Sequence, residues 1–298
     1  MSGLSILIPV YKDDVRRQVA LLQSQCKALA EAGLEWEIVV ADDGSPKAFL
    51  EVNEAVNEME GCRLISRGKN VGRSAMRNFL AREARHELLL YQDAETIPNE
   101  NLVSRYLAVA YKADVVCGSF TVSEDAARNG NLRCRYELAG QRRLTAERRN
   151  QQPYRCFHVN NFMAKRDIVL SHPFDEQMKG YGYEDVMFGK QLEKDRVGVF
   201  HIDNPVAYSG FEDNAAFLEK TARAIDTLYI YRDCLQGYSR LLDLALTLER
   251  CHALWLPRLI MHLFSKQVLT NLKGHNPSLQ LFNFYRTWLL TEKFLNNL

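Results

Sequence analysis

Short apolar runs alternate with longer amphipathic segments along roughly the first 120 residues of the chain. The apolar runs predict buried strands at residues 5–10, 36–41, 62–66, 88–92 and 114–120. The intervening segments have helical spacing near residues 14–32, 47–60 and 101–111, and a further helix follows a loop at residues 67–78. Strands that alternate with helices of this length indicate βαβ units and a largely parallel sheet.

The pattern changes after residue 120. Residues 121–155 are rich in arginine and weakly patterned, which fits either a mobile flap over an anionic ligand or a solvated helical excursion. A helix is predicted to begin near residue 183 and a last strand at residues 197–201.

From residue 214 onward only helical spacing is found. Residues 259–264 are apolar except for His262. Packing against the α/β domain is the favoured use of these apolar faces, and contact with a membrane surface is the alternative.

Composition narrows the class of protein. The 298 residues suffice for one large domain or one and a half, and 47% hydrophobic with 25% charged residues is typical of a globular protein. Because the 38 basic residues are nearly balanced by 37 acidic ones, the chain has no strong net charge that would attract it to nucleic acid. The seven cysteines form no CxxC pair, and neither a signal peptide nor a membrane-spanning run is found. We therefore expect a reduced, cytoplasmic protein without a disulfide framework or a zinc site.

The strongest candidate for chemistry is the pair Asp93 and Glu95, which directly follows the buried run LLLYQ. Strand ends of an α/β sheet open into the ligand crevice, and two carboxylates spaced i, i+2 can face one divalent cation. An isolated DxE motif is more often a pair of solvated carboxylates. Asp42 and Asp43 follow another strand in ADDGS and could equally form only a turn.

Two glycine-containing segments are further candidates. Residues 67–78, RGKNVGRSAMRN, suit an anion at a helix N-terminus, although a plain solvated loop fits as well. In GYGYED, the acids Glu184 and Asp185 can simply favour the positive end of a helix dipole. The adjacent Tyr181 and Tyr183 suggest instead a sugar-binding pocket with a carboxylate that accepts a hydroxyl proton.

Taken in order, these motifs resemble family-two glycosyltransferases with the GT-A fold. The resemblance spans residues 5–210 and rests on SILIPVYKDD, EIVVADDGSP, KNVGRSAMRN, LLLYQDAET and GYGYED, followed by a helical tail. The segments around GYGYED and NPVAYSG are similar to bacterial members that build surface polysaccharides.

The resemblance implies a Rossmann-like, mostly parallel sheet flanked by helices. It implies a GT-A domain over residues 1–213, with a nucleotide-binding half (1–120) and an acceptor half (121–213), before a helical region at residues 214–298. It also implies roles for individual residues. Those expected to bind the nucleotide-sugar are Pro9, Tyr11, Asp42, Asp43, Asn70, Arg73, Arg77 and Asp93. Those expected at the acceptor are Asn161, Tyr181, Tyr183, Glu184 and the base Asp185.

Two positions depart from the family pattern and concern the metal. Asp93 and Glu95 would hold Mg²⁺ or Mn²⁺, but Glu95 stands where the family usually has Asp. Tyr208 stands where relatives often have a histidine ligand, so that His201 or water would have to serve in its place.

The resemblance predicts an inverting, metal-assisted transfer from a nucleotide-sugar, UDP-linked by preference, to a glycan or lipid-linked glycan. Peripheral contact with the inner membrane face through the C-terminal helices is part of this expectation. Two alternatives are a catalytically silent module that binds glycan or nucleotide, and a sugar-1-phosphate nucleotidyltransferase. The latter would need a glycine-rich loop after the first strand, where YKDD stands.

Overall fold

The computed structural model describes residues 3–208 and 210–296. In this part of the chain, eight strands form one sheet in the order β3-β2-β1-β4-β7-β6-β8-β5. The strands are β1 (Leu4–Val10), β2 (Trp36–Asp42), β3 (Cys62–Ser66), β4 (Leu88–Gln92), β5 (Thr96–Pro98), β6 (Val115–Thr121), β7 (Asn161–Lys165) and β8 (Val199–Tyr208).

The four strands β3, β2, β1 and β4 are mutually parallel, as is the β6–β8 pair, whereas the pairs β4–β7, β6–β7 and β5–β8 are antiparallel. Because parallel neighbours end at the same edge, the loops that follow β1, β2, β3 and β4 share one edge of the sheet.

Helices connect and flank the strands. They are α1 (Arg16–Ala30), α2 (Lys47–Asn53), α3 (Arg73–Glu83), α4 (Leu102–Leu107), α5 (Glu124–Arg128), α6 (Leu132–Arg143), α7 (Ala146–Asn150), α8 (Arg166–Ser171), α9 (Glu184–Lys194), α10 (Asn214–Ile230), α11 (Arg232–Leu235), α12 (Arg240–Arg250), α13 (Trp255–Lys273) and α14 (Leu279–Leu295). A short 3₁₀ helix, Glu54–Glu58, follows α2.

Side chains of the central strands alternate between two apolar clusters on opposite faces of the sheet. Ile6 and Ile8 belong to one cluster, with Ile38 of β2. Leu7 belongs to the other, with Val39. This alternation is the period of two that an extended strand imposes, and burial on both faces explains why these strands are continuous apolar runs.

The chain divides into two compact units. The first comprises residues 1–121, 144–179 and 188–209, and the second comprises residues 122–143, 180–187 and 210–298. The helices of the second unit enclose two apolar clusters of their own, one around Leu228 and Leu290 and one around Met261 and Phe282. Helix α9 begins in the second unit and ends in the first.

The predicted α/β fold with a C-terminal helical extension is confirmed, and the sheet is mixed. Of the two interpretations of residues 121–155, the helical one agrees with the structure, which forms α5, α6 and α7 there. Leu132 and Cys134 of α6 are buried, so this segment is more than a solvated excursion. The predicted domain boundaries stay a prediction. Among the described helices, we find none with the length and apolar character to span a membrane.

Candidate functional site

The carboxylates predicted from LLLYQDAET lie in a tight turn, Asp93 to Thr96, between β4 and β5. The backbone N–H of Thr96 donates to the carbonyl oxygen of Asp93 at 3.2 Å, and the Thr96 hydroxyl donates to the same oxygen at 2.7 Å. The side-chain amide of Gln18 adds a third bond to it at 2.9 Å. The carbonyl of Asn160 accepts from the Asp93 N–H at 3.1 Å. The backbone that presents Asp93 and Glu95 is therefore held in one conformation.

Arg77 orients the Asp93 carboxylate. Its side chain extends from α3, is 1% exposed, and donates from Nη2 to Asp93 Oδ1 at 2.9 Å. The Tyr91 hydroxyl in turn donates to the carbonyl of Arg77 at 2.9 Å. Because the Asp93 side chain stays 27% exposed, it remains open to a ligand while one oxygen is held. Arg77 is thus a buried residue that holds the Asp93 carboxylate in place through a charged hydrogen bond.

Asp13 is a third carboxylate at this edge, and it is not among the site residues predicted from the sequence. Burial and then the nearby charge of Glu95 raise the pKa of Asp13 to about 6, while Arg73 opposes the shift. Asp13, Glu95 and Arg73 therefore interact through their charges at this edge of the sheet. Its position after β1, at the edge where β4 ends, was the signal available in the sequence. Its neighbour Asp14 lies just before α1 and accepts the N–H of Arg16 at 3.1 Å.

Asp43 connects the loop after β2 to the loop after β3. Its two carboxylate oxygens accept the backbone N–H groups of Val71 at 2.7 Å and Gly72 at 2.9 Å. A Cβ atom on Gly44, whose φ is +75°, would lie 2.6 Å from the backbone N of Asn70, so glycine is needed for this close approach. Asp43 therefore shapes the glycine-containing loop, and its predicted contact with the nucleotide-sugar stays a prediction.

Asp42 forms the turn that the sequence suggested. Its Oδ1 atom accepts the N–H groups of Gly44 at 3.1 Å and Ser45 at 2.9 Å. Its other oxygen, Oδ2, is buried and has no hydrogen-bond donor within the described residues. A buried acceptor of this kind is costly unless a donor reaches it, which makes it a candidate contact for a ligand N–H.

The other predicted nucleotide contacts lie at the same edge. Pro9 is partly buried at the end of β1, and Tyr11 is 44% exposed with the Lys12 ammonium 4.9 Å from its ring. Asn70 and Arg73 are exposed. The eight predicted donor residues of the first unit therefore lie at the ends of β1 and β2, on the loops that follow β1, β2, β3 and β4, and on α3.

His201 does not join this site, and its prediction as a metal ligand is wrong. The side chain is 1% exposed in β8, and its Nε2 lies 2.8 Å from the carbonyl oxygen of Pro153. Tyr208 of the same strand pairs with Thr96 beside the turn. His201 and Tyr208 are seven positions apart, which is roughly 20 Å of extended chain, so His201 is too far away to share an ion with Glu95. His201 is a core residue.

Asn161 is likewise structural, which contradicts its predicted contact with an acceptor. It is fully buried at the start of β7. Its Oδ1 accepts from Gln92 at 2.6 Å and from Tyr106 at 2.7 Å, and its Nδ2 donates to the carbonyls of Ser119 at 2.9 Å and Asn204 at 2.8 Å. These bonds use the whole side-chain amide within the core.

The preceding residue, Asn160, is the one that reaches the carboxylate turn. Besides the bond from its carbonyl to Asp93, its Nδ2 donates to the Tyr208 hydroxyl at 3.2 Å. The Tyr208 ring also contacts Phe120 edge-on at 5.5 Å. Tyr208 is thus held next to the turn, in the position that the family pattern gives to a metal ligand.

The GYGYED segment lies in the second unit and has a strained backbone. Gly182 and Tyr183 both have positive φ, +87° and +68°, and such a value is uncommon for a tyrosine. The Tyr183 side chain is held by hydrogen bonds with Ser239 and Arg286, and burial raises its pKa. Strain that surrounding contacts maintain is typical of functional segments.

Glu184 and Asp185 form the first turn of α9, directly after this strained pair. Both side chains are half-buried, and Asp185 Oδ1 accepts the backbone N–H of Val186 at 2.8 Å. Tyr181 lies under the Lys220 ammonium, which is 5.0 Å from the ring centroid. Tyr181, Tyr183, Glu184 and Asp185, which are near neighbours along the chain, therefore all lie in the second unit.

Within residues 3–208 and 210–296, no group of three or more His, Cys, Asp or Glu side chains forms a metal cage. The turn offers only carboxylate oxygens, which suit a hard cation such as Mg²⁺ or Mn²⁺. Ions of this kind are often held by one or two carboxylates and complete their coordination with substrate phosphates and water. The donor set is thus compatible with a metal that binds together with a diphosphate.

A family model for glycosyl transferase family 2 matches residues 5–171, which is more than half of the chain. The chain belongs to glycosyl transferase family 2. Chondroitin synthases of Pasteurella multocida (strain Pm70) and Escherichia coli are each 23% identical to it, over 239 and 243 residues. These matches cover 69% and 70% of the chain but only 24% and 34% of the synthases. The chain therefore spans about a quarter to a third of the length of these relatives.

Solved structures share the fold at low sequence identity. A mannosyltransferase from Pyrobaculum calidifontis, in complex with GDP-Man and Mn²⁺, is 13% identical with a TM-score of 0.57 over 99% of this chain and 86% of its own. TarS residues 1–349 from S. aureus is 14% identical with a TM-score of 0.53 over 99% and 92%. A glucosyl-3-phosphoglycerate synthase from Mycobacterium tuberculosis, with Mn²⁺ and UDP, is 17% identical with a TM-score of 0.51 over 76% and 79%. These likenesses establish the fold.

Proposed function

We propose that this protein is an inverting glycosyltransferase that moves a sugar from a UDP-linked donor to a hydroxyl of a glycan or lipid-linked glycan. The observation that most supports the proposal is the rigid Asp93–Thr96 turn with its Arg77-oriented carboxylate. It lies at the edge where four parallel strands end, which is the ligand edge of an open α/β sheet. Membership of family 2, and the UDP and GDP-Man bound in two of the fold neighbours, support transfer from a nucleotide-sugar.

In the proposed donor site, Tyr11 and Pro9 contact the nucleoside, and the buried Oδ2 of Asp42 accepts an N–H of the base. Asp43 contributes by holding the loop that presents Asn70 and the N-terminus of α3. Backbone N–H groups at a helix N-terminus favour an anion, so this end of α3 suits the diphosphate.

Asp93 and Glu95 are the proposed ligands of Mg²⁺ or Mn²⁺. A bound cation of this kind stabilises the negative charge that develops on a departing diphosphate. In the protein, Arg77 fixes one oxygen of Asp93, and Asp13 increases the negative charge near Glu95. The carboxylates of Asp13 and Glu95 favour a cation, whereas Arg77 orients the Asp93 carboxylate and offsets part of its charge.

Asp185 is the proposed base that takes the proton of the acceptor hydroxyl, and Glu184 is proposed to bind the acceptor. A single in-line displacement at the anomeric carbon inverts its configuration and needs one base but no enzyme nucleophile. The Tyr181 ring offers a flat apolar face for a sugar ring. The strained backbone at Tyr183 sets the direction in which α9 starts, and with it the position of Asp185.

We further propose that the reaction belongs to cell-surface polysaccharide biosynthesis and takes place in the cytoplasm, at or near the inner membrane face. The named bacterial relatives are chondroitin synthases, which supports a polysaccharide product. An acceptor linked to lipid would require the protein to work close to a membrane surface.

The proposal is tested by isothermal titration with UDP and with GDP, each with and without Mn²⁺. We expect UDP to bind more tightly when Mn²⁺ is present and the Asp93→Asn variant to lose that gain by roughly 10- to 100-fold. Asp195→Asn, a surface change at the end of α9, is the control and should bind like the wild type. A metal-dependent response to GDP instead of UDP would reassign the donor. Binding of neither nucleotide by the folded protein would reject the donor site.

A catalytically silent nucleotide- or glycan-binding module is the second candidate, because Glu95 and Tyr208 both depart from the family's metal site. Hydrolysis of a UDP-sugar in the presence of Mn²⁺ separates an enzyme from such a module. A nucleotidyltransferase is disfavoured, since the loop after β1 contains no glycine between Val10 and Arg16.

A further inference from the structure

The α13 helix has two apolar faces, and only one of them is buried. Pro257, Met261, Val268 and Leu272 pack inside the second unit. Trp255, Leu256, Leu259, Ile260, Leu263 and Phe264 are exposed. We call these six residues the exposed stripe. An ordinary surface helix has one apolar face and one polar face, and a helix that is apolar all round is normally covered on both sides.

The exposed stripe is continuous rather than scattered. At about 100° per residue, the positions from Trp255 to Leu263 fall within an arc of roughly 140°, opposite the buried face. Leu263 is 60% exposed and Leu259 is 45% exposed. Six of the 14 large apolar side chains that are exposed in the described chain belong to this one helix. Single exposed apolar residues are normal, but a contiguous patch indicates a binding surface.

The charges around the stripe are mostly basic. Residues 250–291 contain five basic residues and three histidines but no Asp or Glu. Those exposed are Arg250, His252, Arg258, His262, Lys266, Lys273 and His275, of which Arg258 pairs with Glu292 of α14 at 2.8 Å.

Two of these charges border the stripe directly. His262 follows Leu259 by three residues and lies along one margin of the apolar face, and the exposed Lys266 follows just after a kink in α13 at Phe264, where φ is −124° and ψ is 15°. Trp255 is 55% exposed at the first turn, and tryptophan favours the boundary between apolar and polar surroundings. An apolar stripe with a basic margin and a terminal tryptophan is the composition of helices that lie flat in a lipid interface.

We propose that α13 docks on an anionic lipid bilayer, with the exposed stripe among the acyl chains and the basic margin on the headgroups. A second copy of the chain is a poorer occupant of this face. A two-fold interface on this face would bring the basic residues of both copies into one contact without acidic partners from the stripe, and like charges repel. Anionic headgroups instead complement the exposed basic residues beside the stripe. The inference stands on α13 and does not require the proposed donor site.

The test uses the full chain and vesicles of phosphatidylcholine, alone or in equimolar mixture with phosphatidylglycerol, in a co-sedimentation assay. We expect partition onto the anionic vesicles to exceed partition onto neutral ones and to weaken with salt. Leu259→Gln with Leu263→Gln should reduce partition by at least roughly tenfold, because apolar burial drives insertion. Lys266→Glu should reduce it by roughly fivefold or more, since one basic residue near the surface contributes about that factor.

The matched control is Tyr111→Gln with Leu170→Gln, which removes two exposed apolar side chains of the first unit, 82% and 41% exposed. It should leave partition unchanged. Blue-shifted tryptophan emission on vesicle addition, absent in Trp255→Phe, should place the first turn of α13 in the interface. Circular dichroism and UDP titration of each variant separate a folding defect from a lipid defect. Lys266→Glu, an exposed change, keeps the test valid if the double leucine variant does not fold.

Several outcomes would overturn the inference. Absence of partition onto anionic vesicles would reject docking on lipid, even if UDP still binds. Equal partition onto both vesicle types would reject the role of the basic margin. A concentration-dependent dimer in sedimentation velocity that the double leucine variant disrupts would assign the stripe to a second copy.

Discussion

In the first compact unit, the apolar side chains of β1 and β2 divide between two clusters that cover both faces of the sheet. What this unit exposes at its functional edge is charge, from Asp93 and Arg73. The second unit has the reverse arrangement around α13 and α14. It holds Arg286 against Tyr136 at 3.0 Å in a half-buried position, while α13 exposes a row of large apolar side chains.

The difference indicates two kinds of binding. The loops of the first unit are cross-linked by buried polar contacts, as in the bonds from Val71 and Gly72 to Asp43, so charged ligands meet groups that are already oriented. The apolar face of α13 offers contact area but no oriented polar groups. Such a face suits an extended apolar surface more than a small molecule. Four predictions test this contrast, beginning with the largest effect.

Asp185→Asn in the second unit should lower sugar transfer by roughly 10²–10⁴-fold, because the amide cannot take the hydroxyl proton. UDP binding should stay within about twofold of the wild type, since the donor residues belong to the first unit. The measurement is UDP release in the presence of Mn²⁺ and a panel of glycan acceptors, together with UDP titration. Glu193→Gln, near the C-terminal end of the same helix, is the control carboxylate. Near-normal transfer by Asp185→Asn would remove Asp185 from the chemistry.

Asn161→Leu should lower the free energy of unfolding by roughly 3–5 kcal/mol, because it leaves several buried hydrogen-bonding groups without a partner. The bonds lost include those from Gln92 and Tyr106. Urea denaturation measures the change. Where the variant remains folded, its Mn²⁺-dependent UDP affinity should match the wild type, as expected for a core residue. A stable variant that had lost only acceptor binding would instead restore the original assignment.

His201 should make the first unit sensitive to acid. Burial lowers the pKa of His201 to about 4 from an ordinary value of 6.5. The unfolded chain then binds a proton between these values that the folded chain does not. Stability is therefore complete above pH 6.5 and falls as the pH drops toward 4, at about 1.4 kcal/mol per pH unit. Over that interval the loss amounts to roughly 3 kcal/mol.

The check is urea denaturation between pH 4 and pH 7 for the wild type and His201→Gln. The variant should lose less stability on acidification. The slope of its unfolding free energy against pH should be smaller than that of the wild type by about 1.4 kcal/mol per pH unit, the contribution of one proton. Burial also lowers the pKa of His158, to about 3, so the variant should retain part of the acid sensitivity. The exposed His252→Gln is the control and should follow the wild type. Parallel curves for His201→Gln and the wild type would contradict the proposed origin of the slope.

Local pattern was sufficient for most of the fold. The predicted strand at residues 62–66 is β3, and the prediction at 36–41 misses only Asp42 of β2, because buried apolar runs are bounded by turn formers. The carboxylates of the Asp93–Thr96 turn could be found for the same reason, since a charged residue directly after such a run must lie at a strand end.

What could not be predicted depends on pairing between distant strands. Nothing local distinguishes Asn160, which reaches the turn, from Asn161, which is buried by β4 and β6. His201 follows the apolar run VGVF just as Asp93 follows LLLYQ. However, β8 continues to Tyr208, so His201 lies near the start of its strand and not at the strand end. Asp13 becomes a site residue only when β1 pairs with β4. The spacing along α13 likewise predicts a helix and leaves open which of its two apolar faces is buried.

The smallest expected effect concerns Tyr208. It tests whether the oriented polar groups of the first unit include the side chain at position 208. Tyr208→His should tighten Mn²⁺-dependent UDP binding by roughly three- to tenfold, because an imidazole nitrogen is a better ligand than a phenol for Mn²⁺. The pairing of Tyr208 with Thr96 places the new side chain beside the turn that holds Glu95.

Tyr208→Phe is the matched control, since it loses the 3.2 Å bond to Asn160 without adding a ligand. It should weaken UDP binding slightly with and without metal. If the histidine and phenylalanine variants respond alike to Mn²⁺, position 208 does not face the ion. The Asn160–Tyr208 contact would then serve only to hold the backbone of Asp93.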